Sequence, residues 1–279
     1  QAWSQDSQES LLRFTAFTMA TGSRRIVFDG EGYKQDLPDF TLDIEETYSN
    51  TRTNAVVWDA GVVLAQFLWH KYADPSECKI TGQHYFLELG SGTGLIGLTV
   101  AALGGSMCMT DLPELLNVVE GNFQRNKEEM QKCRETRVGP SRESERLEGK
   151  TVVDVVSIQP LEWGNTEHIK QVLDLSPKGA YDYILLGDCV FDPEVTEKLV
   201  DTLDMLTDND STTEIICANE VREAPTNARA EKMFFGKLKE KGFECRSCKP
   251  DELHPDWFSE DIQVYRIYRK DGVCVNGCS

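Results

Sequence analysis

Tyr85-Phe-Leu-Glu-Leu-Gly-Ser-Gly-Thr-Gly-Leu-Ile-Gly97 is the stretch on which the fold turns. The apolar run Tyr85, Phe86, Leu87, Leu89 has the character of a buried strand, and it stops at Gly90. Three glycines at a spacing of two follow, and Leu95-Ile-Gly-Leu-Thr-Val-Ala-Ala-Leu103 then reads as a helix. Strand, glycine turn and helix aim free backbone N–H groups at one cavity, which a ligand can approach without Cβ clashes. Two ligand classes use such a turn. Gly92-Thr-Gly94-Leu-Ile-Gly97 matches the dinucleotide fingerprint G-x-G-x-x-G, a weak signal alone. Glu88, however, lies inside the strand, two residues before the turn. A carboxylate there opposes a pyrophosphate and suits a cation. The next apolar segment, Ser106-Met-Cys-Met-Thr110, ends in Asp111, an acid placed to accept bonds from ribose hydroxyls in either class. Glu88, the turn Gly90-Ser91-Gly92 and Asp111 together favour S-adenosylmethionine (SAM), whose sulfonium and ammonium are both positive.

Strand and helix alternate along the chain, which predicts an α/β fold with a parallel sheet covered on both faces. Core strands are expected at 84–89, 106–110, 151–158, 181–187, 212–218, 242–247 and 262–269. Helices are expected near 94–103, 113–127, 166–174, 193–206 and 226–241, with an amphipathic helix from Trp58 to about Tyr72. Residues 1–53 read as an N-terminal extension, in which Arg24–Phe28 and Phe40–Ile44 alternate like the strands of a β-hairpin. Residues 54–270 read as one domain and 271–279 as a short tail. Lys127 to Lys150 is dense in Glu, Arg and Lys without periodicity, and is expected to be a solvated loop.

Composition narrows the function classes. Hydrophobic residues make up 40% of the 279, enough for a sizeable core. No run approaches the roughly 18 apolar residues of a membrane span. The start Gln1-Ala-Trp-Ser-Gln-Asp6 is polar and has no basic n-region, so it does not read as a secretory signal, and it opens without a Met. Nine cysteines, several in predicted strands (Cys108, Cys189, Cys217), suit buried thiols of a reducing compartment, the cytoplasm or nucleus. A net charge of −18 argues against a nucleic-acid backbone as partner and is compatible with a basic one. Cys245, Cys248, Cys274 and Cys278 resemble a four-thiolate set only superficially, because one pair falls in a strand and the other in the tail; no metal is expected.

At this point the chain resembles the seven-strand (class I) SAM-dependent methyltransferases, and within them the family 16 protein-lysine methyltransferases of the methyltransferase-like 21 group. Ala55-Val-Val-Trp58-Asp-Ala60, Leu87–Gly94, Thr110-Asp111-Leu112, Leu161-Glu-Trp163-Gly164 and Gly187-Asp188-Cys-Val-Phe191 carry the resemblance. It covers about residues 50 to 270. Ser259-Glu-Asp-Ile-Gln-Val264 is most similar to the branch that methylates the AAA+ ATPase valosin-containing protein. The resemblance implies a Rossmann-like fold, mostly parallel, whose last strand runs antiparallel beside the fifth. It also implies SAM as cofactor, a lysine-bearing protein as partner, such as an AAA+ ATPase or chaperone-like assembly, and a monomeric enzyme.

Each site residue has a functional and a structural reading. Glu88 and Asp111 are assigned to the cofactor, although Asp111 could also cap the helix that begins at Leu112-Pro113. Trp58 is usual core material, but the resemblance implies a cofactor contact. Trp163 and Gly187 follow or end strands where the family places an adenine neighbour and a small residue against the cofactor. Asp188-Cys-Val-Phe191 is the expected catalytic corner: Asp188 to orient the acceptor amine and stabilise developing charge, Phe191 to wall the lysine channel. Phe191 supplies no hydroxyl, unlike the Tyr found in some relatives. Asp192 before Pro193 is the better helix cap, which frees Asp188. Glu220, after the fifth core strand, is assigned to the substrate entrance or to a salt link with Arg222. Methylation of another acceptor (histidine, small molecule or nucleic acid), or a non-catalytic SAM-fold module, remain alternative readings. The corner lacks the prolines of an adenine-modifying N/D-P-P-Y motif.

Overall fold

Alternate residues of the central strands enter two different apolar layers. Phe86, Met109, Leu185 and Ala218 pack on one face of the sheet, and Leu87, Leu89, Leu186 and Cys217 on the other. A sheet buried on both faces needs helices on both, which is the pattern of a doubly wound fold. The computed structural model describes residues 22–30, 38–46, 56–74, 80–138, 151–207 and 212–270.

Two antiparallel strands come first, β1 (Ser23–Phe28) and β2 (Phe40–Glu45). The main sheet follows: β3 (Tyr85–Leu89), β4 (Ser106–Asp111), β5 (Val156–Pro160), β6 (Tyr183–Gly187), β7 (Glu214–Glu220), β8 (Phe243–Ser247) and β9 (Ile262–Arg269). Its order is β5-β4-β3-β6-β7-β9-β8, parallel except for β9, which runs antiparallel to both β7 and β8. This is the Rossmann-like seven-strand methyltransferase arrangement the sequence implied. The order reverses at β3, which pairs with β4 on one side and β6 on the other. Ligands of open α/β sheets bind at such a switch point, outside the carboxyl ends of the strands.

The helices are α1 (Asp59–Tyr72), α2 (Leu95–Leu103), α3 (Leu116–Val138), α4 (Thr166–Leu175), α5 (Pro193–Leu206) and α6 (Pro225–Glu240). The amphipathic reading of α1 is corrected: all of it except Asp59, His70 and Lys71 is buried. The β1–β2 pair covers its outer side. Phe28 and Phe40 lie against the Trp69 ring at 5.2 and 5.4 Å between centroids. Trp69 Nε1 donates to the Asp29 carbonyl and Gln66 Nε2 to the Val27 carbonyl.

Two further expectations are corrected. The polar stretch from Lys127 is helical as far as Val138; residues 139–150 lie outside the described residues. Its charges conceal a buried stripe. Phe123 and Met130 are in the core, and Arg134 donates to the Ala101 and Gly105 carbonyls at the end of α2. The Ala101 carbonyl also accepts from the Gly104 amide of the helix cap, and the guanidinium adds a cation at the negative end of α2. The Val-rich run after Thr151 is not strand throughout. Thr151 and Asp154 form a capping box that turns Val152–Val155 into one helical turn, and the strand starts at Val156.

Asn122 and Asn126, one turn apart on α3, fasten β2 to the main body. Asn122 accepts from Glu45 N and donates to the carbonyls of Glu45 and Thr93; Asn126 accepts from Asp43 N and donates to its carbonyl. Replacing Asn122 by Ala leaves these groups unpaired at a fully buried position. Asn122→Ala is expected to lower stability by about 2–3 kcal/mol, read as a lower urea midpoint at unchanged slope. The exposed neighbour substitution Gln124→Ala is expected to stay within about 0.5 kcal/mol.

Candidate functional site

The turn after β3 is built from left-handed backbone. Gly90, Gly92 and Gly94 have φ of 66°, 55° and 82°. Gly90 is also tight: a Cβ would lie 3.2 Å from Cys189 Sγ and 3.3 Å from the Trp163 ring. Both requirements select glycine. Gly97 is fixed by a different neighbour, since a Cβ there would meet Met109 Cγ at 2.4 Å and Glu88 Oε2 at 2.7 Å.

That approach has a purpose in the fold. Gly97 N donates to Glu88 Oε2 at 3.1 Å, linking β3 to the first turn of α2. Glu88 is almost completely buried. Burial pushes its carboxyl up to about 8, despite the lowering bonds from the Ser91 hydroxyl and Gly97 amide, and nearby Asp111 adds to the rise. Ser91 holds the turn to β4 by exchanging bonds with the backbone of Thr110. Asp111 accepts from Gly92 N and Leu112 N, each at 2.7 Å, and burial raises its pKa in spite of both bonds.

The loop after β6 faces this turn across the switch point. Gly187 is fitted against Ile96, whose Cδ1 would be 2.5 Å from a Cβ. Asp188 has φ 58°, the only positive value outside glycine among the described residues. A left-handed Asp is tolerated where surroundings enforce it. Here Asp188 N donates to the Ala218 carbonyl, and the carboxylate accepts from Arg222 Nη1 (3.1 Å), Arg222 Nη2 (2.5 Å) and Glu220 N (3.3 Å). Arg222 also bonds Glu220 Oε2 at 2.5 Å and lies 5.6 Å from the Trp58 ring centroid. Cys189 Sγ donates to the Leu89 carbonyl, and burial raises its thiol far above the usual range. Asp192 caps α5, accepting from Glu194 N beside Pro193.

A cavity of about 550 Å³ joins these parts. Trp58, Glu88, Gly90, Ser91, Gly92, Asp111, Trp163, Gly187, Asp188 and Phe191 all line it. Trp58 and Phe191 keep 38% and 44% of their surface exposed, unusual for large aromatics and suited to a mouth. Glu220 is the last residue of β7 rather than a loop residue, and it reaches the cavity only through Arg222. Arg222, Asn227 and Lys198 also line the wall; of the three, the sequence pointed only to Arg222, as a salt-link partner of Glu220. Nothing in local spacing shows that Arg222 meets Asp188, 34 positions away. Among the described residues no group of His, Cys, Asp and Glu could hold a metal, and no helix is long and apolar enough to cross a membrane. Cys274 and Cys278 lie outside the described residues.

Comparison with known proteins gives the wider setting. A family model described as lysine methyltransferase matches residues 36–138 and 143–241. Protein N-lysine methyltransferase METTL21A of Danio rerio is 27% identical over 233 residues, 84% of this chain and 85% of its own. Protein-lysine methyltransferase METTL21E of Mus musculus is 28% identical, over 71% of this chain and 67% of its own. EEF1A lysine methyltransferase 3 of Xenopus tropicalis is 35% identical over a shorter 86 residues, 30% of this chain and 36% of its own. An O-methyltransferase family protein from Burkholderia thailandensis superposes with a TM-score of 0.46 at 11% identity, covering 76% of this chain and 59% of that one. These relatives support the methyltransferase-like 21 group and do not single out the branch that methylates valosin-containing protein.

Glu88 generates a pH signature. Its folded pKa lies above the unfolded value of 4.5, so its stabilising contribution is complete below that value and is lost as pH rises through about 8. Glu88→Gln never charges. Without ligand it is expected to exceed the parent in stability at pH 8.5 by up to about 4 kcal/mol, with the gap closing towards pH 4.5. Chemical denaturation at the two pH values checks this; an unchanged gap contradicts it.

Proposed function

The chain belongs to the lysine methyltransferase family, with SAM as methyl donor, and on that premise we propose that it methylates the ε-amine of a lysine on a protein. The observation that carries the reading is one cavity whose wall combines a glycine cradle, two buried carboxylates and an acid–aromatic corner. The residues present fit the donor. The Gly90 backbone leaves room that any Cβ would fill, and Glu88 and Asp111 offer carboxyl groups to a positively charged nucleoside, whose charge would favour the ionised form of Glu88. Bound SAM supplies an electrophilic methyl on a sulfonium, which makes a direct displacement by an amine possible.

We assign Gly90, Ser91, Gly92 and Glu88 to the amino-acid part of the donor, Asp111 to its ribose, and Trp163, Gly187 and Trp58 to packing against it. Asp188 orients the acceptor nitrogen: its carboxylate has about four acceptor positions, and protein donors take three of them. Phe191 and Trp58 shield the amine from water and offer ring faces to the charge that grows on nitrogen. With the donor held by these residues, the amine lone pair would take the methyl as its bond to the sulfonium sulfur breaks and the neutral thioether S-adenosylhomocysteine leaves, and the methylated ammonium would then release a proton to water. Glu220 serves the substrate side through Arg222.

For the acceptor we propose a lysine on an AAA+ ATPase or chaperone-like assembly, reached by a monomeric enzyme in the cytoplasm or nucleus. The supporting feature is Ser259–Val264, in which the Asp261 carbonyl accepts from Val221 N beside Arg222. The free thiols Cys108, Cys189 and Cys217 suit a reducing compartment.

Tritiated SAM with cell lysate tests the reading. Acid hydrolysis of the labelled protein is expected to yield methyl-lysine, and Asp188→Ala to lower the rate at least about 100-fold, by loss of positioning. Label on histidine, nucleic acid or small molecules alone would contradict it.

A further inference from the structure

Arg222 occupies the place a substrate cation would be expected to prefer. Two carboxylates, Asp188 and Glu220, and one aromatic face, Trp58, converge on its guanidinium. Asp188 is buried, Arg222 is about one-fifth exposed, and Glu220 is half-open to solvent. Without Arg222 this corner would carry two negative charges; with it, one. The difference matters for amine chemistry. A lysine entering between two unopposed carboxylates is held as an ammonium, which has no lone pair to give. A cation within a few ångströms of the same nitrogen has the reverse effect.

We propose that Arg222 is a positioning residue that sets the protonation of the acceptor: it offsets Asp188 and Glu220 so that lysine enters the corner as the neutral amine. The proposal rests on the lysine reading given above. It separates two tasks that the acidic corner would otherwise confuse. Asp188 keeps an acceptor position for an N–H of the amine, while the guanidinium weakens the long-range attraction for a proton. The bidentate geometry also fixes the carboxylate plane.

Other charged groups face the corner as well. Across the cavity stand Glu88 on β3 and Asp111 on β4, with Glu162 after β5 and Lys198 on α5. Cys189 stays a neutral thiol, and Asn227 on α6 carries no charge. Asp59, beside Trp58 at the start of α1, is 3.8 Å from Arg24. None of these bonds the Asp188 carboxylate; Arg222 is the cation that does. Glu88 titrates near 8 in the free protein and could mask the effect. Glu88 is common to the parent and to the variants compared below, so a difference between their profiles does not come from it.

The test is the pH dependence of methyl-lysine formation from tritiated SAM at saturating concentration, with lysate protein as acceptor, between about pH 6 and 10. Arg222→Gln is expected to move the acidic limb of the profile up by about one pH unit or more. Arg222→Lys, which keeps the charge, is expected to stay near the parent. Glu220→Gln, which removes a negative charge at a half-open position, is expected to move the limb the other way. S-adenosylhomocysteine affinity, measured alongside, should change less than about threefold in all three variants, and serves as the check of folding. If Arg222→Gln does not fold, the downward shift in Glu220→Gln decides alone. An unmoved limb, or Arg222→Lys behaving as Arg222→Gln, overturns the proposal while leaving lysine methylation standing. A parent enzyme that forms no methyl-lysine overturns both.

Discussion

The bond from the Gly97 amide to the buried Glu88 carboxylate is the constraint on which the site depends. It ties the strand before the glycine turn to the helix after it, at a position where no Cβ fits. A carboxyl placed there is costly, because burial opposes its charge. The fold accepts that cost at the switch point of a doubly wound sheet, where a ligand arrives with charge of the opposite sign. Gly90, Ser91 and Asp111 extend the same arrangement along the wall. Ser91 bonds the backbone of Thr110, and Asp111 accepts from the amides of Gly92 and Leu112.

Across the cavity the acidic corner obeys a second rule: no carboxylate stands alone. Asp188 is held by Arg222, which is held in turn by Glu220 and covered by Trp58. The left-handed backbone at Asp188 turns the carboxylate toward this network, and the bond from its own amide to Ala218 keeps it there. Strain of roughly 1–3 kcal/mol at such a residue persists only when its surroundings over-determine it. The corner is therefore held by protein bonds before any substrate arrives, which suits a displacement that depends on alignment.

Much of this was legible in the sequence. The glycine turn, the apolar strands and the acids at strand ends pointed to a parallel sheet with the site at the carboxyl ends of its strands, because period-2 burial and turn chemistry are local properties. Three things were not legible, each for a non-local reason. The helix beyond Lys127 was hidden by charge, since its buried face includes an arginine whose partners are carbonyls some 30 residues away. The turn at Val152–Val155 was hidden by β-branched residues, and a capping box overrode their strand preference. The contact of Arg222 with Asp188 joins two loops that only the pairing of β6 with β7 brings together. Conversely, the β1–β2 pair was readable as strands, but its use as the cover of α1 follows from Phe28, Phe40 and Trp69 meeting in space.

The most direct test of the account is calorimetric titration of the protein with S-adenosylhomocysteine, on the parent and on Asp111→Ala. The account requires one site of micromolar affinity in the parent and a loss of at least about 30-fold in the variant, the equivalent of roughly 2 kcal/mol for a carboxylate that no longer accepts ribose hydroxyls. No binding by the folded parent, or equal binding by Asp111→Ala, would contradict the assignment of the glycine turn and its buried acids to the methyl donor.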